Sequence, residues 1–215
     1  MVASESNASV VLGVLALQGA FIEHIHILST IPEVKEVIAV RTEEQLNSVD
    51  ALIIPGGEST SMALIAERCN MLEPLRKFVR AKPTWGTCAG MIMLANEATG
   101  AKKGGQQLLG GLDICVNRNQ FGSQKESFDT MLHLPDALGD EPFHAVFIRA
   151  PVITSVKSDT VKVIGRLEKK IGQTDPETIV AVRQDKLLAT AFHPELTRDN
   201  RLHSYFVRMA LEYKQ

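Results

Sequence analysis

Three side chains in this 215-residue sequence have the types and settings for covalent catalysis: Cys88, His193 and Glu195. Cys88 lies in Thr84-Trp85-Gly86-Thr87-Cys88-Ala89-Gly90, followed directly by the apolar run Met91-Ile92-Met93-Leu94-Ala95. Gly-x-Cys-x-Gly between a short strand and a helix is the thiol form of a nucleophile elbow. Small residues at 86 and 90 let the backbone turn sharply and let the helix approach the strand. The corner is expected to be strained and to expose its sulfur. A helix N-terminus behind it favours thiolate over thiol, and the thiolate is the attacking species. Phe192-His193-Pro194-Glu195 supplies a base and a carboxylate to orient it, which completes the logic of a Cys-His-Glu triad. His193 follows an apolar strand over 187–191, and an extended chain would put 193 and 195 on the same side.

Other groups can complete such a site. Pro55-Gly56-Gly57-Glu58-Ser59-Thr60 follows a strand and opens a helix. Backbone N–H groups there, Gly57 among them, can stabilise an oxyanion, as can the N–H of Ala89 behind the nucleophile. A phosphate loop would need Gly-Lys-Ser/Thr next, and none follows. Arg118 and Arg149 each lie beside an apolar strand end, and an arginine can hold a substrate carboxylate through two parallel hydrogen bonds. Cys69 and Cys115 read as small buried hydrophobes. His24 and His26 stand two apart on a helix and so face different sides; without a ligand cluster of the usual spacing, no metal is expected.

The elements that must position these groups alternate. A continuous apolar strand at 10–17, further strands at 34–40 and 51–55, and one beginning at 83–85 before the elbow are separated by helices over 21–30, 58–68 and 71–80. That is the pattern of βαβ units and a parallel sheet, whose site lies beyond the strand C-terminal ends. Residues 99–111 read as a loop. Short strands follow at 113–116, 128–132, 144–148, 152–154, 161–164 and 178–183, with a polar tip over 168–177 and a closing helix over 198–213. The expected fold is α/β: a flavodoxin-like, doubly wound, mostly parallel sheet with added antiparallel strands. One domain over 10–215 is expected, preceded by a disordered tail over 1–9.

Composition bounds the partners. A net charge of −2 with 5% aromatic residues offers neither a basic stripe nor a stacking platform for nucleic acid. No apolar run approaches a membrane span, and the start has no basic n-region. Three cysteines make no disulfide framework, so a reduced, cytoplasmic setting is expected.

Taken together, these segments resemble the class I (triad) glutamine amidotransferases, and more narrowly the glutaminase subunits of pyridoxal 5′-phosphate synthase. The resemblance runs from about residue 11 to 213. It rests on Gly13-Val14-Leu15-Ala16-Leu17-Gln18-Gly19-Ala20 with Glu23-His24, on the Gly56-Gly57-Glu58-Ser59-Thr60 and Gly86-Thr87-Cys88-Ala89-Gly90 segments, on Arg118-Asn119-x-Phe121-Gly122, on Phe147-Ile148-Arg149-Ala150-Pro151, and on Phe192-His193-Pro194-Glu195-Leu196-Thr197. It implies that Cys88 attacks the side-chain amide of L-glutamine, that His193 shuttles the proton and that Glu195 orients it, through a glutamyl thioester. It implies glutamine binding by Gly57, Glu58, Ser59, Arg118, Ile148 and Arg149, and a share in the oxyanion hole for the Gln18-Gly19 peptide. It implies no cofactor, and as partner a (β/α)8-barrel synthase subunit in a large hetero-oligomer, which takes the ammonia. Two alternatives are a glutaminase feeding another synthase and a non-catalytic assembly subunit.

Overall fold

A computed structural model describes residues 8–100, 106–118, 127–167 and 178–214. Most of the expected tail, the polar tip over 168–177, and Asn119, Phe121 and Gly122 lie outside the described residues. The first half contains β1 (Val10–Leu15), α1 (Phe21–Leu28), β2 (Val34–Val40), α2 (Glu43–Asn47), β3 (Ala51–Ile54), α3 (Ser59–Arg68), α4 (Leu72–Ala81), β4 (Thr84–Thr87) and α5 (Ala89–Leu94). The second contains β5 (Ala95–Thr99), β6 (Leu112–Asn117), β7 (Ser127–Leu132), α6 (Pro135–Leu138), β8 (Phe143–Ile148), β9 (Val152–Val156), β10 (Val161–Leu167), β11 (Thr178–Gln184), β12 (Leu187–Thr190) and α7 (Arg201–Lys214).

Strands β1, β3, β4 and β12 are buried along almost their whole length. An all-apolar strand needs cover on both faces, which helices provide in a parallel sheet. The sheet order is β2-β1-β3-β4-β12-β11-β9-β6-β5, with β10 paired to β11. The pairs from β2 through β12 are parallel. Beyond β12 the sheet becomes antiparallel through β11, β9 and β6, and ends on the parallel pair β6–β5. This is the expected α/β sheet, mostly parallel with an antiparallel extension. β7 and β8 form a separate antiparallel hairpin. Their burial alternates along the chain, as in strands with one face covered. Trp85 of β4 anchors the core beneath α7: its ring lies 5.6 Å from Phe206, and its Nε1–H donates to Thr190 Oγ1 at 3.1 Å.

Several expectations need correction. Helix α2 was not expected, although Thr42 and Gln45 form a reciprocal capping box. β5 was not expected either: helix α5 ends after six residues and the chain turns into a strand that pairs with β6. α7 begins at Arg201 rather than 198, because Asp199 accepts the Arg201 N–H at 3.0 Å and starts the helix there. Cys115 is buried as expected, but Cys69 is exposed, since it sits just past the end of α3 where the chain turns outward.

The contact between α5 and the sheet is the tightest one near the elbow. A Cβ placed on Gly90 would lie 2.0 Å from the Ile54 carbonyl oxygen, and backbone cannot swing aside as a side chain can. Gly90→Ala is expected to destabilise the protein by about 1–3 kcal/mol, the usual cost of overpacking. A denaturation midpoint equal to that of the parent chain would contradict this.

Candidate functional site

The parallel half of the sheet collects the site. β1 leads to Gln18, β3 to Gly56-Gly57, β4 to Cys88 and β12 to His193. Because these strands run the same way, all four segments emerge at one edge. Register fixes the order: Ile54 pairs with Gly86, and Thr87 with Thr190. The Cys88 N–H then continues the ladder by donating to the Thr190 carbonyl at 2.8 Å.

Cys88 is the residue before α5 and has φ 47° and ψ −102°. That conformation is rare for a residue with a side chain and is held only where its surroundings over-determine it. The strained corner is therefore as expected, but the exposed sulfur is not: Cys88 is only 7% exposed. The end of β8 lies over it, and Sγ is 4.0 Å from the Ile148 carbonyl oxygen. Arg149 is exposed and has φ 45°, a second strained non-glycine residue at the same edge.

His193 is fixed through its backbone, whose N–H donates to the Val146 carbonyl at 2.8 Å. The chain does not stay extended to Glu195. It turns into a 3₁₀ turn, Pro194–Leu196, so the two side chains meet by a bend and not by period-two alternation. His193 Nδ1 lies 2.7 Å from Glu195 Oε1. This leaves Nε2 for Cys88, whose sulfur helps to hold a proton on the ring. Burial opposes a charge on this imidazole, but the hydrogen bonds to Cys88 and Glu195 outweigh it and push His193 up to about 10. The site thus favours an imidazolium, a group able to give a proton to a leaving atom at the thiol.

A Cβ on Gly56 would sit 2.3 Å from His193 Cε1 and 2.9 Å from Nδ1. Gly56→Ala is therefore expected to displace the ring and cost about 10²-fold in turnover, as ångström-scale misplacement does, in a chain that still folds. Turnover kinetics beside a thermal melt check this.

The opposite wall is a pair of loops bonded to each other. Gln18 Oε1 accepts the Glu58 N–H at 2.9 Å, and the Ala20 N–H donates to the Gly56 carbonyl at 3.0 Å. Ala89 opens α5, so no carbonyl within the helix can reach its N–H. Glu58 is the N-cap of α3. Its partial burial works against ionisation, but donors from Ser61 and Thr60 hold its carboxyl down at about 2. Arg118 Nη2 bonds Glu58 Oε1 at 3.1 Å and Thr60 Oγ1 at 3.0 Å, so its charge is already faced by a carboxylate. Ser59 is buried, with its hydroxyl donating to Gln106 Oε1 at 3.0 Å.

The structure thus brings Cys88, His193 and Glu195 together, with Gly57, Ala89, Gln18 and Ile148 around them; Arg118, just past β6, is bonded to Glu58 at the N-cap of α3, and Ser59, the first residue of α3, is bonded to Gln106. Sequence reasoning gave His24 no role at the site and missed His203 and Gln106. His24 is buried while His26 is exposed, so the two do face different ways. The spacing of His24 and Leu28, both buried on α1, was a signal of burial; nothing local signalled their partners. Among the described residues no helix is long and apolar enough to cross a membrane.

Comparison with known proteins places this geometry among relatives. The family described as the SNO glutamine amidotransferase family matches residues 14–212. The chain is 46% identical over 225 residues to the probable pyridoxal 5′-phosphate synthase subunit PDX2 of Arabidopsis thaliana, covering 95% of this chain and 87% of that one. It is 49% identical over 197 residues to the pyridoxal 5′-phosphate synthase subunit PdxT of Herpetosiphon aurantiacus, covering 91% and 98%. A solved structure of a glutamine amidotransferase superposes with a TM-score of 0.78 at 44% identity, covering 93% of this chain and 98% of that one. A putative GMP synthase subunit from Thermoplasma acidophilum, 16% identical with a TM-score of 0.61 and coverage of 96% of each chain, shares the fold.

Proposed function

The chain belongs to the SNO glutamine amidotransferase family, and from that premise we propose that it is the glutaminase subunit of a pyridoxal 5′-phosphate synthase, hydrolysing L-glutamine to L-glutamate and ammonia. The observation that carries this reading is the Cys88–His193–Glu195 constellation, held at one sheet edge by a strained elbow and a 2.7 Å imidazole–carboxylate bond.

The chemistry follows from the placement. Cys88, as thiolate, attacks the carbonyl carbon of the glutamine side-chain amide. A C–S bond forms and the carbonyl electrons move onto oxygen. The backbone N–H of Gly57, in a loop braced by Gln18, and that of Ala89 at the start of α5 receive that oxyanion. The His193 imidazolium gives its proton to the amide nitrogen, the C–N bond breaks and ammonia leaves. Water then attacks the glutamyl thioester while His193 takes its proton. The C–S bond breaks, and glutamate and the thiolate are regenerated. Glu195 accepts the Nδ1–H throughout and keeps Nε2 aimed at the reacting atoms. Glu58, Ser59, Arg118, Ile148 and Arg149 hold the α-amino and α-carboxyl ends of glutamine, with residues 10–215 working as one domain.

The ammonia passes to a synthase subunit, a (β/α)8 barrel in a large hetero-oligomer. Coupling makes chemical sense, because ammonia freed into neutral water is protonated and lost as a nucleophile. The test is glutamate release by the purified chain, with and without a pyridoxal 5′-phosphate synthase barrel subunit. Marked activation on mixing is expected. Absence of glutamate release in both conditions would overturn the reading and favour a non-catalytic assembly role.

A further inference from the structure

We propose that His24 is a positioning residue for the triad: backed by His203, it holds the second carboxylate oxygen of Glu195, so that the hydrogen-bonded chain continues from Cys88 through the core to α7. This rests on the triad reading and adds two members to it.

Glu195 Oε1 takes the His193 proton, but Oε2 is buried and, among the described residues, has no partner in hydrogen-bonding geometry. His24 Nε2 stands 3.4 Å from it, and both side chains are wholly buried. On its other side, His24 Nδ1 lies 2.9 Å from His203 Nε2. His203 Nδ1 in turn is buried without a partner among the described residues. Trp85 packs edge-on against both rings, at 5.9 Å from His24 and 5.1 Å from His203. A carboxylate sealed in the core with one oxygen unserved is costly, and a donor aimed at that oxygen relieves the cost.

The orphan atom decides the proton positions. Each neutral imidazole carries one N–H and one bare nitrogen. Suppose His24 carries its proton on Nε2. Its N–H then lies between Glu195 Oε2 and Thr87 Oγ1, each 3.4 Å from Nε2, and can serve the carboxylate oxygen. Its bare Nδ1 accepts from His203 Nε2–H, and the unpartnered His203 Nδ1 is a bare lone pair. Suppose instead that the proton is on Nδ1. His24 Nε2 can then accept from the Thr87 hydroxyl but also turns its lone pair toward a carboxylate, and His203 buries an N–H with no described residue to receive it. The first arrangement removes both conflicts.

The groups facing His24 come from every element around it: Glu195 from the 3₁₀ turn, His193 after β12 with Cys88 beyond it, Thr87 from β4 and His203 from α7, which itself faces Asp199. Burial first, then its histidine neighbours, holds His24 well below the usual histidine range. Burial takes His203 down to about 3, with Asp199 opposing. Two neutral rings can lend a proton's direction to Glu195 without adding a charge that would compete with the His193 imidazolium.

The first test needs no turnover. Imidazole ¹⁵N NMR on the full chain at neutral pH is expected to show His24 and His203 neutral and protonated on Nε2. A proton on Nδ1 of His24, or a charge on either ring, overturns the proposal. The second test uses the assembled complex with the synthase subunit. His24→Leu is expected to lower kcat by about tenfold to a hundredfold, the worth of a hydrogen bond to a charged group, with KM nearly unchanged. It is also expected to move the His193 titration downward. His24→Gln, whose amide reaches the Nε2 position, is expected to restore both. Equal loss in the two variants, or no loss in a folded His24→Leu chain, overturns the proposal. If His24→Leu does not fold, the NMR result alone decides. Failure of the parent chain to release glutamate would sink the functional reading and leave the NMR result standing.

Discussion

Cys88→Ala is expected to abolish glutamate release in the assembled complex while the chain still folds. The sulfur is the only atom lost, and no other group at this edge can form the thioester. Alanine meets the same backbone demand at φ 47° as cysteine does. The change therefore adds little strain and leaves a void of about one sulfur atom. Loss of a triad nucleophile costs about 10⁶ in kcat where it has been measured alone, so only background from binding and the oxyanion donors should remain. The His193 imidazolium also loses a hydrogen-bond partner that holds it at about 10, so its titration should move down. Turnover at parental rates by this variant would refute the nucleophile assignment.

Glu195→Gln should cost nearly as much by a different route. A glutamine amide can offer His193 Nδ1 an N–H in place of an acceptor. The ring then carries its proton on Nε2 and cannot take one from Cys88 or from water. The same exchange in a serine protease triad lowers kcat by about 10⁴, with geometry intact. Glutamine binding is remote from the change, so KM should hold. The variant also has a pH signature. His193 is raised from 6.5 to about 10. Its interactions therefore contribute stability that is complete below pH 6.5 and is lost as the pH rises through 10. With one of the raising partners neutralised, that upper edge should move down. A variant whose alkaline unfolding profile matches the parent, or whose kcat is unchanged, would show that Glu195 does not orient the ring.

The parallel half of the fold was legible because β1 and β3, buried almost throughout, read as unbroken apolar runs alternating with helices. Cys88 was legible for a related reason: an elbow needs small residues at 86 and 90, and Gly90 packs against the Ile54 carbonyl. What sequence could not show was cover from afar. The sulfur is shielded by the end of β8, sixty residues away in the chain. His193 and Glu195 were paired correctly but for the wrong reason, since a 3₁₀ turn and not an extended segment joins them. α2 was missed although its capping box is local, because its five residues are too few to show a helical period. His24 and His203 lie 179 positions apart, and no pattern within either helix points to the other.

The two-loop wall has a consequence for where this molecule can change through descent. Gln18 and Ala20 are bonded to Glu58 and Gly56, so the loop after β1 and the loop after β3 form one mechanical piece. Ile22, exposed on α1 just beyond that piece, belongs to the outer surface. A substitution on this outer surface can therefore be felt at the reacting atoms, whereas the buried strands behind them tolerate almost none. Heritable tuning of this chemistry should accumulate on the skin of the protein around α1, and the strands beneath should stay nearly silent.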